Sequence, residues 1–417
     1  MARRSHRVRV LLHLLSVRKQ KIRCGVRVGI LCITFSLIFI NCNVIAETPG
    51  ADWNQKMENF RSVLSALLPD LFSEKRFNAP ENFKRIEENV KRLAGLAHEM
   101  PTGAFAQAKT ELAADQDPSL TLISGLFKNE ALLALTHLRS GHRAYARNVL
   151  KTIPNFCIAC HTRSTGLDLS SVQEHVPKSL TPFERAQFFD ATRQFDRALD
   201  EFEKILSNAP TVDRPLEWER AARDGIATAV RVKRDPQRAL ALVDRVLSSP
   251  VAPVFLKENA LHWKTSLEEW KNEQPEKSST ADSLFSEGKK LVAQARNLQE
   301  YPSDRSADVL YLRASAVLHD FLSRFPDEAR VGEVLLLTGM CYESLEDLQV
   351  WSMHDLYYEA CVRKVPHTPV AHACYARYEQ SIFFGFTGSG GTFLPPEVQT
   401  HLNQLKELAG PLATSKF

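Results

Sequence analysis

The sequence predicts an all-α fold in two parts: a four-helix-bundle-like unit, then an α-solenoid of stacked helix pairs. Three observations lead there. Apolar residues recur at helical spacing through four segments between residues 52 and 163. The pattern breaks at Ser164–Leu180. Beyond it, small and aromatic residues recur in the register of a 34-residue helix–turn–helix unit.

The chain begins with a leader. Its 417 residues are 44% hydrophobic and 24% charged, an ordinary globular profile with room for two or three domains. The net charge of +4 is local in origin. Residues 1–46 hold nine of the 53 Lys and Arg and no acid, so 44 bases face 49 acids in the rest, about −5. A slightly acidic body argues against nucleic-acid binding. After the basic head, "GILCITFSLIFINCNVIAETPG" is uncharged from Gly29 to Ala46. A basic n-region, an apolar h-region and Val44 and Ala46 before a cut describe a secretory signal, cleaved to start the mature chain at Glu47. The competing reading is an uncleaved anchor over residues 29–46, at the lower edge for spanning a bilayer. Cys42 hints at a lipoprotein site, but Asn41 is a poor residue before it. Both readings export the body, to the periplasm or an equivalent extracytoplasmic space, with the basic end inside. Membrane contact then depends on retention of the leader.

The first helical unit spans 47–165. "NQKMENFRSVLSALLPDLF" places apolar residues at 57, 60, 64, 67, 68 and 71. "APENFKRIEENVKRLAGLAHEM" repeats the spacing at 83, 86, 90, 93 and 97, with Pro80 as a start signal. "DPSLTLISGLFKNEALLALTHLRS" follows and ends at Gly141; "HRAYARNVLKTI" comes next. Four amphipathic segments with short links favour an antiparallel bundle.

That unit closes on "NFCIACHTRS", with Cys157, Cys160 and His161. Cys-x-x-Cys-His is the attachment pattern of a c-type haem. Two thiols form thioethers to the porphyrin, and the adjacent imidazole becomes the proximal iron ligand. Positions i and i+3 of a helical turn face one side, so both sulfurs reach one ring edge. With 8 Cys and 13 His in 417 residues, chance supplies roughly 0.005 such motifs per chain. A zinc site wants a second ligand pair nearby, and none is present. A thioredoxin-like pair wants a preceding strand and no His, and a simple disulfide needs no His. One motif implies one haem c. Cys24, Cys32 and Cys42 fall in the leader, leaving Cys341, Cys361 and Cys374 besides the motif. In an oxidising compartment thiols tend to pair. Cys361 and Cys374, 13 apart around "KVPHTP", suit a disulfide between adjacent helices; Cys341 is the rival partner, and buried free thiols are the alternative.

A haem motif at the end of a four-helix segment resembles the class II cytochromes, the cytochrome c′ and c556 group. "FKRIEENVKRLAGLA" and "CIACHTR" resemble that group's second and fourth helices, and the resemblance covers roughly 50–165. It implies thioethers at Cys157 and Cys160 and a fifth ligand at His161. Pro154 departs from the pattern and sets Phe156–Arg163 apart as a separate turn. The six-coordinate members place a methionine where Met57 stands. Met100, His98, His137, His142 and His175 are rivals for the sixth position, and an open site is a further alternative.

The linker is 166–182. "PFERAQFFDATRQFDRALDEFEKILSNAP" carries Ala186, Phe189, Ala198, Phe202 and Pro210; a second unit carries Ala227, Val230, Ala239, Val243, Val246 and Pro250. With Trp218 and Trp263 as packing residues, 183–270 resembles tetratricopeptide repeats. The polar patch "KNEQPEKSSTADS" at 271–283 is a break, and 284–417 continues with helix pairs, Gly339, Tyr358, Cys361 and Pro366 fitting the last unit. "GFTGSGGTFLPPE" lacks the Lys-Ser/Thr of a phosphate loop and reads as a loop before a short helix after Pro395.

No nucleophile triad, metal-ligand cluster or paired carboxylates stand out. The expectation is therefore an electron carrier, not an enzyme: an exported monohaem cytochrome whose repeats dock a redox or envelope partner. The alternatives are a haem-based sensor or gas binder, a peroxidase-like protein with an open sixth site, and a scaffold with structural haem. The two parts are expected to be separable.

Overall fold

The computed structural model describes residues 49–99, 118–162, 180–208, 215–273, 279–345 and 353–410. The segment read as a leader, with its three cysteines and expected cut site, the linker up to residue 179, Met100, His175 and Pro210 lie outside them. The described residues are helical apart from loops and one short hairpin.

In the first unit, α1 (Pro49–Leu71) buries Val63, Leu64, Leu67, Leu68 and Leu71, and α3 (Phe83–Glu99) buries Ile86, Val90, Leu93, Ala94 and Ala97. Spacings of three and four lay each set on one stripe. Helix α1 packs on α3, and α3 on α4 (Pro118–Arg139). The short α2 (Glu74–Phe77), capped by Ser73, and a 3-10 turn at Pro80–Asn82 make the first connection. There the fully buried Asp70 accepts hydrogen bonds from Arg85 (2.5 and 3.0 Å) and Arg76 (3.2 Å), fixing the end of α1 to the start of α3. The fourth segment is two short helices, α5 (Arg143–Leu150) and α6 (Ile153–His161). Pro154 sits in the first turn of α6, where its missing N–H costs nothing, but it could not have continued α5.

Helix α7 (Pro182–Ala191) opens on a capping box: Thr181 Oγ1 accepts from the Glu184 amide (3.3 Å) and the Glu184 carboxylate from the Thr181 amide (2.8 Å). There follow α8 (Phe195–Leu206), α9 (Pro215–Ala227) with a π-helical extension at Thr228–Lys233, α10 (Pro236–Ser248) and α11 (Val254–Asn272). Then come α12 (Ala281–Leu298), α13 (Asp308–Arg324), α14 (Val331–Ser344), α15 (Met353–Lys364), α16 (Pro369–Phe386) and α17 (Pro396–Ala409). Packing runs largely between neighbours in the chain, a solenoid-like arrangement. Ala186, Phe189, Ala198, Phe202, Ala227, Val230, Ala239, Val243 and Val246 are buried, as their spacing requires. Trp218 and Trp263 are buried too, their indoles donating to the carbonyls of Asn208 (3.1 Å) and Arg305 (2.7 Å). Helix α12 begins inside what the sequence offers as a polar break, on a Thr280–Ser283 cap.

The stretch expected as a loop after α16 contains an antiparallel hairpin, β1 (Thr387–Gly388) with β2 (Gly391–Thr392). Gly391, at φ +98°, turns the chain as only glycine does readily, and the Thr387 and Thr392 hydroxyls bond across it at 2.7 Å. Gly339 on α14 lies so close to the Tyr358 ring on α15 that a Cβ there overlaps the ring. Gly339→Val is therefore expected to cost about 1–3 kcal/mol through overpacking, read as a lower denaturant midpoint. An unchanged midpoint refutes the close fit.

Helix α15 is joined to α16 by the Cys361–Cys374 disulfide, Cα–Cα 6.2 Å, while Cys341 is a buried free thiol. The two predicted parts also meet each other. Helix α6 packs on both α4 and α7, and α4 touches α15, so the first unit contacts an early and a late helix of the array.

Candidate cofactor-attachment site

The Cys-x-x-Cys-His motif occupies α6, whose helix starts at Ile153 and runs through His161. Ile153 and Ala159 are buried and anchor it. Phe156 extends an aromatic path across the unit, 6.4 Å from Phe127 on α4, itself 5.3 Å from Phe60 on α1. Continuous helix places positions 157 and 160 on one face, as attachment to one porphyrin edge needs. Cys157 is half-buried.

His161 ends the helix. Its Nδ1 lies 2.7 Å from the carbonyl oxygen of Ala191. A carbonyl only accepts, so Nδ1 carries the proton and Nε2 keeps its lone pair. Burial first, and the charge of Arg193 second, hold the imidazole pKa down to about 3, against the pull of that hydrogen bond. The ring is therefore neutral at physiological pH, the form that ligates iron.

The Ala191 carbonyl is available for a structural reason. Helix α7 ends in a Schellman turn: Gln194 N–H bonds Phe189 O (2.8 Å), Arg193 N–H bonds Asp190 O (3.2 Å), and Arg193 is left-handed at φ 59°. Those bonds leave the neighbouring Ala191 oxygen to His161, one of the last carbonyls that a helix cannot satisfy itself. Beside it, Asp190 is buried and accepts from the Thr228 hydroxyl at 3.1 and 3.2 Å. Burial, then the charge of Asp224, push its pKa well above the usual carboxylate range against that hydrogen bond.

The described ligand candidate, His161, has the hydrogen-bonding that a haem-binding histidine would need. An iron-binding imidazole characteristically gives its second N–H to a carbonyl or carboxylate that fixes tautomer and ring orientation. His161 has that arrangement. Among the described residues no three His, Cys, Asp or Glu side chains gather as a metal site. Haem needs no such cluster, since the porphyrin supplies most of the iron's ligands.

Among the described residues, no hydrogen bond or ring contact joins a sixth-ligand candidate to His161. Met57 is half-buried on α1 and His98 exposed near the end of α3. His137 stacks with Tyr145 (4.3 Å) and with the exposed His142 (5.5 Å). Sequence reasoning missed Ala191 and Arg193. A backbone carbonyl carries no side-chain signal, and a left-handed turn is ordinarily read from glycine, not arginine.

No family model, curated protein or solved structure matches the chain. No helix among the described residues is long and apolar enough to cross a membrane.

Proposed function

We propose that this chain is an exported monohaem c-type cytochrome that transfers electrons and uses its stacked helix pairs to dock a redox or envelope protein. The carrying observation is the Cys-x-x-Cys-His motif on one helix with the His161 Nδ1 proton tied to a carbonyl. Cys157 and Cys160 would hold the haem and His161 would ligate its iron. When bound, the haem supplies a one-electron Fe(III)/Fe(II) couple that needs no protein acid or base. The chain's contribution is to fix the imidazole, keep it neutral and bury the helix that bears the thiols.

The Cys361–Cys374 disulfide supports export, since such bonds persist in oxidising compartments. The array supports docking: helix pairs in sequence order give an extended surface, whereas redox contacts at a haem edge are small, often under about 1,200 Å². A separate docking surface raises the carrier's effective concentration at its acceptor.

The test is to produce the full chain with a working haem-maturation system and measure its intact mass and visible spectrum. The expected result is one haem added to the mature polypeptide, retained through denaturation and organic extraction. Haem that extracts freely, or none at all, overturns the reading. The same spectrum reports whether the sixth position is filled, which separates an electron carrier from a gas binder or peroxidase-like protein.

A further inference from the structure

The array carries a cleft of its own. It lies between α9, α11 and α13 and is bounded by Leu345 just past α14. Its empty space is about 430 Å³, counted to an open mouth, so the enclosed part suits a side chain and not a whole cofactor. The lining is apolar at depth and charged towards solvent. Ile226, Trp263, Leu312 and Leu345 are buried. Arg223, Asp224 and Asp308 stand at the rim, their side chains 18%, 22% and 13% exposed. The Trp263 ring is a fixed wall, because its indole N–H is held by the Arg305 carbonyl at 2.7 Å.

The rim has a sign. Arg223 pairs with Glu219 at 3.2 Å and reaches Asp308 at 3.8 Å; Arg220 reaches Asp224 at 3.9 Å. Among the described residues, that network sets three carboxylates against two guanidiniums and so leaves one negative charge. Asp308 lies in the first turn of α13, where the helix dipole favours a carboxylate. The sign agrees with the slightly acidic body, so the long-range field and the rim attract the same partner. The surface also continues along α9. Leu216, Arg220, Arg223 and Ala227 follow at spacings of four, three and four, one stripe of the helix, and Leu216 is 72% exposed. A surface that runs two turns beyond the cleft fits a length of polypeptide better than a free metabolite.

We propose that this cleft anchors the docking surface: it takes a branched aliphatic side chain of a partner protein, and the lysine or arginine next to that residue meets Asp224 and Asp308 at the rim. This rests on the docking half of the reading above and is independent of the haem. The aliphatic tip gains by leaving water for Ile226, Trp263 and Leu312. The cation adds selectivity more than affinity, since charges at a partly solvated rim are screened. The partner is therefore a protein with a basic segment that carries an exposed aliphatic residue, and an acidic segment of the same shape is turned away.

The experiment is ligand-observed NMR on the full-length chain with three end-blocked dipeptides: acetyl-Leu-Lys-amide, acetyl-Leu-Gln-amide and acetyl-Leu-Glu-amide. The lysine probe is expected to bind at least about threefold tighter than the glutamine probe, and the glutamate probe weaker than both. Asp224→Asn combined with Asp308→Asn brings the lysine probe down to the level of the glutamine probe, whose own binding stays. Ala227→Leu, which pushes a larger side chain into the cleft, weakens all three; should that variant misfold, the double Asp→Asn variant decides alone. Binding by none of the probes, or equal binding by all three, overturns the inference. So does a lysine preference that survives the double variant. The intact mass of the same preparation reports covalent haem separately, so the cleft and the cytochrome reading stand or fall independently.

Discussion

Cys157→Ala combined with Cys160→Ala is expected to abolish covalent haem attachment completely. The intact mass of the double variant should equal that of the bare mature polypeptide, and any haem associated with it should extract into acidified organic solvent. Far-ultraviolet circular dichroism should stay near wild type. The helix that bears the motif is held by Ile153, which is 1% exposed, and Ala159, also 1% exposed, and not by the half-buried Cys157. Pro154 in its first turn pre-sets the helical φ irrespective of the thiols. His161→Ala separates two roles: it leaves both thiols available for attachment but removes the nitrogen assigned to the iron, so the spectrum changes while the mass gain persists. A haem-sized mass gain that survives loss of both cysteines sinks the assignment of the motif.

Loss of the disulfide is the second large effect. Cys361→Ser with Cys374→Ser is expected to cost about 3 kcal/mol, because the bond closes a short loop and restrains the unfolded chain. The denaturant midpoint of the C-terminal helices should drop accordingly, most visibly where α15 and α16 pack. Thiol counting gives an independent check. Burial pushes the Cys341 thiol well above its ordinary pKa, although Arg231's charge acts the other way, so it should not react in the native protein. A haem-loaded chain cleaved after Ala46 should therefore show no reactive thiol when native and one after denaturation without reductant. Three thiols after denaturation refute the Cys361–Cys374 bond, and a reactive native thiol refutes the burial of Cys341.

Much of the helical framework was legible in the residues. Pro80, Pro118 and Pro182 open helical stretches, and the period of apolar residues marks the stripes that α1, α3 and α4 bury. The pairing of Cys361 with Cys374 was one of three readings their 13-residue spacing left open, and the contact of Gly339 with Tyr358 came only from the structure. The motif is the ground on which the haem chemistry is proposed. What escaped has a common physical basis. The Ala191 oxygen is a main-chain atom whose availability depends on how α7 ends, and that ending uses Arg193 in a conformation that sequence rules assign to glycine. The π-helical turn at Thr228–Lys233 is a one-residue widening that leaves the apolar period almost intact. The split of the fourth segment was foreshadowed by Pro154. The start of α12 was masked by polar residues that serve as its cap and exposed face.

The contacts of α6 and α4 also set an order of assembly. A chain is made from its N-terminus, and domains generally fold as they become available. Both motif cysteines and His161 exist before the Ala191 oxygen, which lies 30 residues later. Helix α4 is complete long before α15, its distant packing partner, is made. The motif helix thus forms first, gains the Ala191 carbonyl next, and only afterwards does α4 acquire its late partner α15. Chain order alone leaves an interval in which the motif is made while the α4–α15 contact is still to form.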